Sequence, residues 1–180
     1  LREIASRAPY EALVILANND TYGGGGIFGL YSTVAVDSSW ADYLFVHEFG
    51  HHFAALADEY YTSPVAYATP TTIVEPWEPN VTALLDRDQL KWRHLVATST
   101  PVPTPWSKQA FEAYELDVQA RRKQIRADRR PESAMDALFR EEQAHVTRLL
   151  GAETHRSAVG AFQGANYDAQ AYYRPQLDCI

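Results

Sequence analysis

His47, Glu48 and His51 form the pattern H-E-x-x-H, the stretch of this sequence whose residue types are best suited to chemistry. Side chains four residues apart lie on one face of a helix, so the imidazoles of His47 and His51 can reach the same metal ion. A zinc ion held by few protein ligands keeps a position for water and lowers the pKa of that water to about 7. Glu48 adjoins the first ligand and is predicted to accept the proton of the water. The pattern therefore predicts a catalytic zinc (Zn2+) site.

The sequence leaves the third ligand of this site open. In the longer zinc pattern H-E-x-x-H-x-x-G-x-x-H a glycine and a third histidine follow, but this chain has Ala54 and Ala57 at those positions. Asp58 is the first plausible ligand downstream. A continuous helix would place it about 10 Å along the axis from His51, so the helix must break near 55–56 for Asp58 to fold back. The other candidate ligands are the carboxylates of Glu59, Glu75 and Glu78.

The segment around this pattern is predicted to be a buried helix. Asp37, Ser38 and Ser39 offer N-caps, and Asp42 follows Ser39 at the spacing of a capping box. Apolar residues occupy most sides of the helix, and such helices are buried, which would give a metal ion dry surroundings. These apolar residues are Trp40, Tyr43, Leu44, Val46, Phe49, Phe53 and Ala54.

Composition narrows the class of protein. A chain of 180 residues is long enough for one domain with a core. The net charge of −7 argues against a nucleic-acid surface and a polybasic membrane contact, and there is no apolar run long enough for a membrane span. The chain shows no signal peptide and begins at Leu1 without an initiator Met, so we expect a mature form or a fragment. The lone Cys179 gives no disulfide framework, and Asn80-Val81-Thr82 fits a common N-glycosylation pattern.

The first third of the chain predicts strands before the zinc helix. Residues 1–8 are typical of a helix end stopped by Pro9, and the apolar run 12–17 predicts a buried strand. Residues 22–27 include four glycines, which indicate either a flexible loop or a place where another group approaches the backbone. Residues 30–36 predict a further strand. That strand could be an edge strand beside the cleft and pair with an extended peptide.

The rest of the chain predicts an irregular stretch followed by a helical hairpin. Residues 62–105 are rich in Pro and Thr, with only a weak helical pattern over 81–95. Residues 107–150 are charged and helical, interrupted at Pro131 and ended by Gly151. Two features of the hairpin predict no more than solvated helix faces: the Glu142-x-x-His145 pair, since a di-iron site needs two such copies, and the basic residues Arg121, Arg122, Lys123 and Arg126.

Two segments are similar to those of a known family. One is the glycine-rich stretch 22–27, and the other is 46–51 together with 56–60. They resemble the glycine loop and the active-site signature of the IgA-peptidase family of zinc metallopeptidases, which is metzincin-like. The resemblance does not cover about 107–156, a segment that looks like an inserted hairpin. Weaker matches are Pro79-Asn80-Val81-Thr82, Lys91-Trp92, Val159-Gly160-Ala161-Phe162, Tyr173-Arg174-Pro175 and Asp178-Cys179-Ile180.

The resemblance implies a fold and an activity. The fold is α/β and metzincin-like: a single catalytic domain over 1–180, with a small mixed sheet and the zinc helix in 1–60. The irregular lower half, 61–180, carries the helical insertion at about 107–150. The activity is that of a secreted or periplasmic zinc-dependent endopeptidase acting on protein or peptide. The implied residues are the zinc ligands His47, His51 and Asp58 and the general base Glu48. Tyr173 could donate to the oxyanion, but its position beside Arg174-Pro175 favours a packed tyrosine.

Two departures from the family pattern keep other functions open. Gln163 stands where the family usually has Glu, and the chain stops at Ile180 before the family's methionine turn, since its only methionine is Met135. We therefore expect a catalytic core cut at both ends. Two alternatives remain: a zinc amidase acting on a non-protein substrate such as peptidoglycan, and a non-catalytic zinc-containing binding module, which Gln163 and the truncation favour and Glu48 disfavours.

Overall fold

The computed structural model describes residues 2–62 and 72–178, and it is a mixed α/β structure with two small sheets. The expectations for Leu1, Cys179 and Ile180 lie outside the described residues, as does part of the predicted irregular stretch, 63–71. The described residues form two compact units, the first ending at Leu56 and the second beginning at Ala57. No helix in the described part of the chain has the length and apolar content to cross a bilayer.

A three-stranded sheet and one long helix make up most of the first unit. The strand order is β1-β3-β2, with β1 parallel and β2 antiparallel to β3, and helix α2 packs against β2 and β3. The two predicted strands are confirmed as strands, but the prediction that the first is buried is wrong, since Leu16 in it is 64% exposed. The elements are α1 (Arg2–Ala5), β1 (Val14–Ala17), β2 (Gly24–Ile27), β3 (Tyr31–Ala35) and α2 (Ala41–Ala54).

The prediction that 30–36 is an edge strand is wrong, because β3 lies in the centre of the sheet. The edge strands are β1 and β2, and β2 consists of Gly24, Gly25, Gly26 and Ile27. Glycine is disfavoured in strands, which is why the sequence indicates a loop there. The strand is stabilised by its ladder with β3, in which Gly25 pairs with Thr33.

The prediction that α2 is buried on most sides is also wrong. Its buried residues Leu44, Glu48 and His52 are spaced by four and lie on one face. On another face three phenylalanines stack along the helix, and Phe45 and Phe53 are 42% and 61% exposed. A single small sheet covers one face of a helix, so apolar residues on the other faces stay accessible within this unit.

The N-cap of α2 is Trp40, and not Ser39 as the predicted capping box requires. The helix begins at Ala41, and the contact at its start comes from Ser38, whose hydroxyl oxygen accepts the Trp40 N–H at 3.2 Å. Ser38 therefore forms a short turn before the helix. Because Trp40 is the N-cap, Ser39 lies one residue too far from the helix, and Asp42 is the second helical residue and not the third, as a capping box requires.

The second unit contains the predicted hairpin and a two-stranded sheet that the sequence did not predict. The weak helical pattern at 81–95 yields only two short 3₁₀ helices, Arg87–Gln89 and Arg93–Leu95. Phe162 and Tyr172 of the small antiparallel sheet are buried in the cores of this unit. The remaining elements are α3 (Lys108–Ala127), α4 (Glu132–Gly151), β4 (Phe162–Ala165) and β5 (Asp168–Arg174).

A pair of carboxyl groups lies inside the hairpin, which overturns the prediction that Glu142 is on a solvated face. Glu142 is hydrogen-bonded to buried Glu115, which also accepts the Thr62 hydroxyl at 3.2 Å. Burial, followed by the charge of Glu115, raises the pKa of Glu142 to about 7. The hairpin packs around Val118, Ile125, Met135 and Leu138, and the basic residues Arg121 and Arg126 pair with Glu141 and Glu132.

We expect the Glu142 carboxyl group to make the protein less stable as the pH rises. Because its folded pKa of about 7 lies above the ordinary value of 4.5, the folded state binds more protons between those values. The free energy of unfolding should therefore fall across that window. In Glu142→Gln the amide can still donate to Glu115 but cannot ionise, so the free energy of unfolding should fall less across this window. Urea denaturation at pH about 5 and about 8 measures this change in the free energy of unfolding.

Glu141→Gln is the matched control for this experiment. Glu141 is the neighbouring residue, and its hydrogen bond with Arg121 lowers the pKa of its carboxyl group. It therefore titrates below the window, and the fall should persist in this variant. An equal fall in Glu142→Gln and in the unmodified protein would contradict the assignment.

Candidate metal centre

The structure brings His47, Glu48 and His51 together on α2. One ligand atom from each lies within 4.8 Å of the others, and in the described part of the chain this is the one such group of three or more His, Cys, Asp or Glu residues. The Nε2 atoms of His47 and His51 are 3.1 Å apart, and the rings meet edge to face with centroids 4.6 Å apart. Glu48 is buried while both histidines are half-buried. The three side chains thus share one small volume.

The two imidazoles fit a tetrahedral metal ion. Nitrogen ligands at about 2.0–2.1 Å from such an ion are about 3.3 Å apart, close to the observed Nε2 separation. The Nδ1 atom of His51 lies 2.5 Å from the Leu56 carbonyl oxygen. If Nδ1 carries the proton and donates it, Nε2 keeps its lone pair for a metal, and the ring is held in orientation.

The helix ends where the sequence predicts a break. Ala55 follows α2 with a left-handed φ of 57°, and the Leu56 N–H donates to the Gly50 carbonyl at 3.3 Å. A glycine is common at this position because the left-handed conformation is unfavourable for a residue with a Cβ atom. Here Ala55 takes the conformation, so the absence of the glycine at position 54 does not prevent the turn.

The glycine strand β2 lies directly against the side of α2 that carries Glu48 and His51. A Cβ atom at Gly24 would lie 2.7 Å from Cγ and 2.8 Å from Oε1 of Glu48. A Cβ atom at Gly26 would lie 2.7 Å from Cβ of His51 and closer still to the Glu48 carbonyl oxygen. Of the two interpretations of the glycines, close approach is therefore confirmed and a flexible loop is not.

His52 ties α2 to the sheet. Its Nε2 accepts the Leu13 N–H at 3.3 Å, and its Nδ1 lies 3.2 Å from the Ile27 carbonyl oxygen. Both contacts are made by a neutral ring with its proton on Nδ1. Since both ring nitrogens bond to backbone, this buried histidine has a structural role.

The candidate third ligands all belong to the second unit. Asp58 accepts a short hydrogen bond from the Tyr167 hydroxyl. Glu59 accepts from the Asn80 amide at 3.0 Å, and burial raises the pKa of its carboxyl group despite that bond. Glu75 accepts the Ala83 N–H at 2.9 Å and pairs with Lys91 at 3.2 Å, while the Glu78 carbonyl oxygen accepts from Lys91 at 2.7 Å.

Asn80 and Tyr167 are two residues whose importance the sequence did not show. The Asn80 side chain accepts the Ala57 N–H at 2.8 Å and donates to the Ala57 carbonyl at 2.9 Å, so its amide is already used, which disfavours glycosylation. Burial, followed by the hydrogen bond to Asp58, raises the pKa of the Tyr167 phenol. Both residues hold the segment that follows α2. The sequence gives no sign of this role for Asn80, because a polar residue within a common sequence pattern is not distinctive.

Gln163 and Tyr173, which the family resemblance singled out, lie on the small sheet and form hydrogen bonds with backbone groups. The Gln163 amide donates to the Gln170 carbonyl at 2.9 Å. The Tyr173 N–H donates to the Thr82 carbonyl at 2.8 Å. These contacts give Gln163 a structural use that does not depend on catalysis.

A comparison with protein families decides the affiliation. The family described as IgA Peptidase M64 matches residues 1–180, which is the entire chain. The chain belongs to this family. The IgA Peptidase M64 family is one of metallopeptidases, so membership implies a hydrolase acting on protein or peptide, and the His47-Glu48-His51 group is a possible metal centre for it. No curated protein matches the chain.

Proposed function

We propose that this protein is a zinc-dependent endopeptidase with a metzincin-like zincin fold. The observation that carries the proposal is the meeting of His47, Glu48 and His51 on one helix of a chain from a metallopeptidase family. We further propose that 1–180 is one catalytic domain, in which the hairpin over about 107–150 is an insertion. A secreted or periplasmic location, which the family resemblance suggests, is part of the same proposal.

The proposed ligands are His47, His51 and Asp58. A zinc ion bound by them would polarise the peptide carbonyl and make water a better nucleophile. The hydrogen bond from His51 to the Leu56 carbonyl supports the His51 assignment, because ligating imidazoles usually donate their second nitrogen to such a partner.

Glu48 is the proposed general base. Its carboxylate accepts the proton of the attacking water, and the proton then becomes available to the leaving nitrogen of the cleaved bond. Its packing against the backbone at Gly24 supports this role, because that contact restricts where the carboxylate can point. A restricted base is held close to one reactive geometry, which lowers the entropy cost of the reaction.

The substrate is proposed to be a protein or peptide in extended form. β2 is one of the two edge strands of its sheet and lies beside Glu48 and His51. Extended peptides commonly bind by adding a strand to such an edge. This position favours peptides over the non-protein amides of the alternative proposal.

Metal binding should require both histidines. We expect His47→Ala and His51→Ala each to lose most of their zinc, because each removes one of few ligands. The measurement is zinc content per chain after dialysis, with circular dichroism to confirm folding. His94→Ala is the control, since His94 is an exposed histidine of the second unit. Full zinc retention in either test variant would rule out the site.

A further inference from the structure

The turn between β4 and β5 holds a tyrosine in a conformation that is unusual for this residue type. Asn166 and Tyr167 have φ angles of 52° and 62°, both in the left-handed region. They connect Ala165 and Asp168, which pair across the hairpin. Asparagine tolerates this region, but a bulky residue such as tyrosine rarely adopts it. Such a conformation persists only where surrounding contacts fix it, and these are often at functional sites.

The contacts that fix this turn are made with the segment that follows α2. The Asn166 N–H donates to the Asp58 carbonyl at 2.9 Å, and the Tyr167 N–H donates to the Tyr60 carbonyl at 3.2 Å. The Tyr167 hydroxyl donates to Oδ2 of Asp58 and lies 3.2 Å from the Tyr60 hydroxyl. The Tyr60 and Tyr167 rings meet edge to face, with centroids 5.2 Å apart. Both the backbone and the side chain of Asp58 are thus bound to the turn.

We propose that Tyr167 is a positioning residue: its hydroxyl binds Oδ2 of Asp58 and thereby fixes the orientation of the carboxylate that is the proposed third ligand. The inference rests on the proposed function, in which Asp58 is the third ligand. A carboxylate that accepts a hydrogen bond on one oxygen has a fixed orientation and binds a metal with less loss of freedom. The backbone hydrogen bonds of Asn166 and Tyr167 to the segment that follows α2 hold the hydroxyl beside Asp58.

The test compares zinc affinity in Tyr167→Phe, Tyr60→Phe and Asp58→Asn with that of the unmodified chain, by competition with a chelator. Tyr167→Phe removes one hydroxyl and keeps the ring, and we expect roughly a 10–100-fold weaker affinity. Tyr60→Phe removes the neighbouring hydroxyl and should weaken affinity less. Asp58→Asn should weaken it at least as much as Tyr167→Phe, since it removes the ligand's charge.

A second readout separates positioning from general stability. Cobalt replaces zinc in such sites, and its visible absorption reports the ligand geometry. We expect Tyr167→Phe to change the cobalt spectrum while its melting temperature without metal stays closer to that of the unmodified chain. An unchanged spectrum with a lowered melting temperature would show a merely structural tyrosine and overturn the inference.

The variants also distinguish the inference from the proposed function. If Asp58→Asn binds zinc like the unmodified chain, the third-ligand assignment fails and the inference fails with it. If Asp58→Asn loses affinity and Tyr167→Phe does not, Asp58 remains the ligand and only the role of Tyr167 is wrong.

Discussion

The Glu48→Gln variant is expected to bind zinc like the unmodified protein and to cleave peptides roughly 10²–10⁴-fold more slowly. An amide cannot accept the proton of the attacking water, so the general base is lost. The two histidines stay in place, so the metal centre is retained. The measurement is the rate of cleavage of a peptide library by the two proteins at equal zinc content.

The structure indicates that this substitution removes the carboxylate without changing the packing around it. Glu48 is buried, and its side chain packs against the backbone at Gly24. Glutamine has nearly the same volume and should occupy the same space. Asp42→Asn is the matched control, because it makes the same chemical change at an exposed position of the same helix and should leave the rate unchanged.

Two outcomes would change the interpretation. Equal rates for Glu48→Gln and the unmodified protein would exclude Glu48 as the base. Zinc binding without any cleavage by the unmodified protein would support the alternative of a non-catalytic binding module, which Gln163 first suggested.

The part of the site that lies on one helix could be predicted from the sequence. The positions of His47 and His51 follow from helical spacing alone, and the break at Ala55 follows from the need to end the helix before Asp58. The hairpin was also predictable, because long charged segments with helical spacing give a strong local signal. In each case the information lies within a few residues of the feature.

Features that depend on distant partners could not be predicted. Tyr167 is 109 residues from Asp58 along the chain, and neither residue type suggests the other. Glu142 has the spacing of an exposed helical residue, and its half-buried position and its hydrogen bond depend on Glu115 of the neighbouring helix. The strands β4 and β5 were missed because alanine, glycine and glutamine dominate them and have weak strand preferences.

The glycines of β2 combine both kinds of information. Their number indicates either flexibility or close approach, and only the position of α2 decides between the two. Within the strand, Gly24 and Gly26 face Glu48 and His51, while a Cβ atom at Gly25 would make an ordinary contact 3.5 Å from the Thr33 hydroxyl oxygen. Strand alternation thus divides one run of glycines into two classes.

We expect alanine substitutions along this run to separate in the same way. In Gly24→Ala the new methyl group collides with the Glu48 side chain and the Thr33 carbonyl oxygen, and in Gly26→Ala it collides with backbone of α2. Overpacking of this kind costs about 1–3 kcal/mol of stability. A displacement of Glu48 by about 1 Å would lower the rate on the order of 10²-fold. The measurements are melting temperature, zinc content and kcat/KM on a peptide.

Gly23→Ala and Gly25→Ala are the internal controls. A Cβ atom at Gly23 meets nothing within 4 Å, and the contact at Gly25 is an ordinary one. Both variants should melt near the temperature of the unmodified protein and keep its kcat/KM. Gly26→Ala should be the most damaged of the four, because its methyl group would lie closer to the backbone of α2 than the methyl group at Gly24 would lie to any atom. If all four variants behaved alike, the glycines would be acting through chain flexibility, and the close approach of β2 to Glu48 would not control the position of the base.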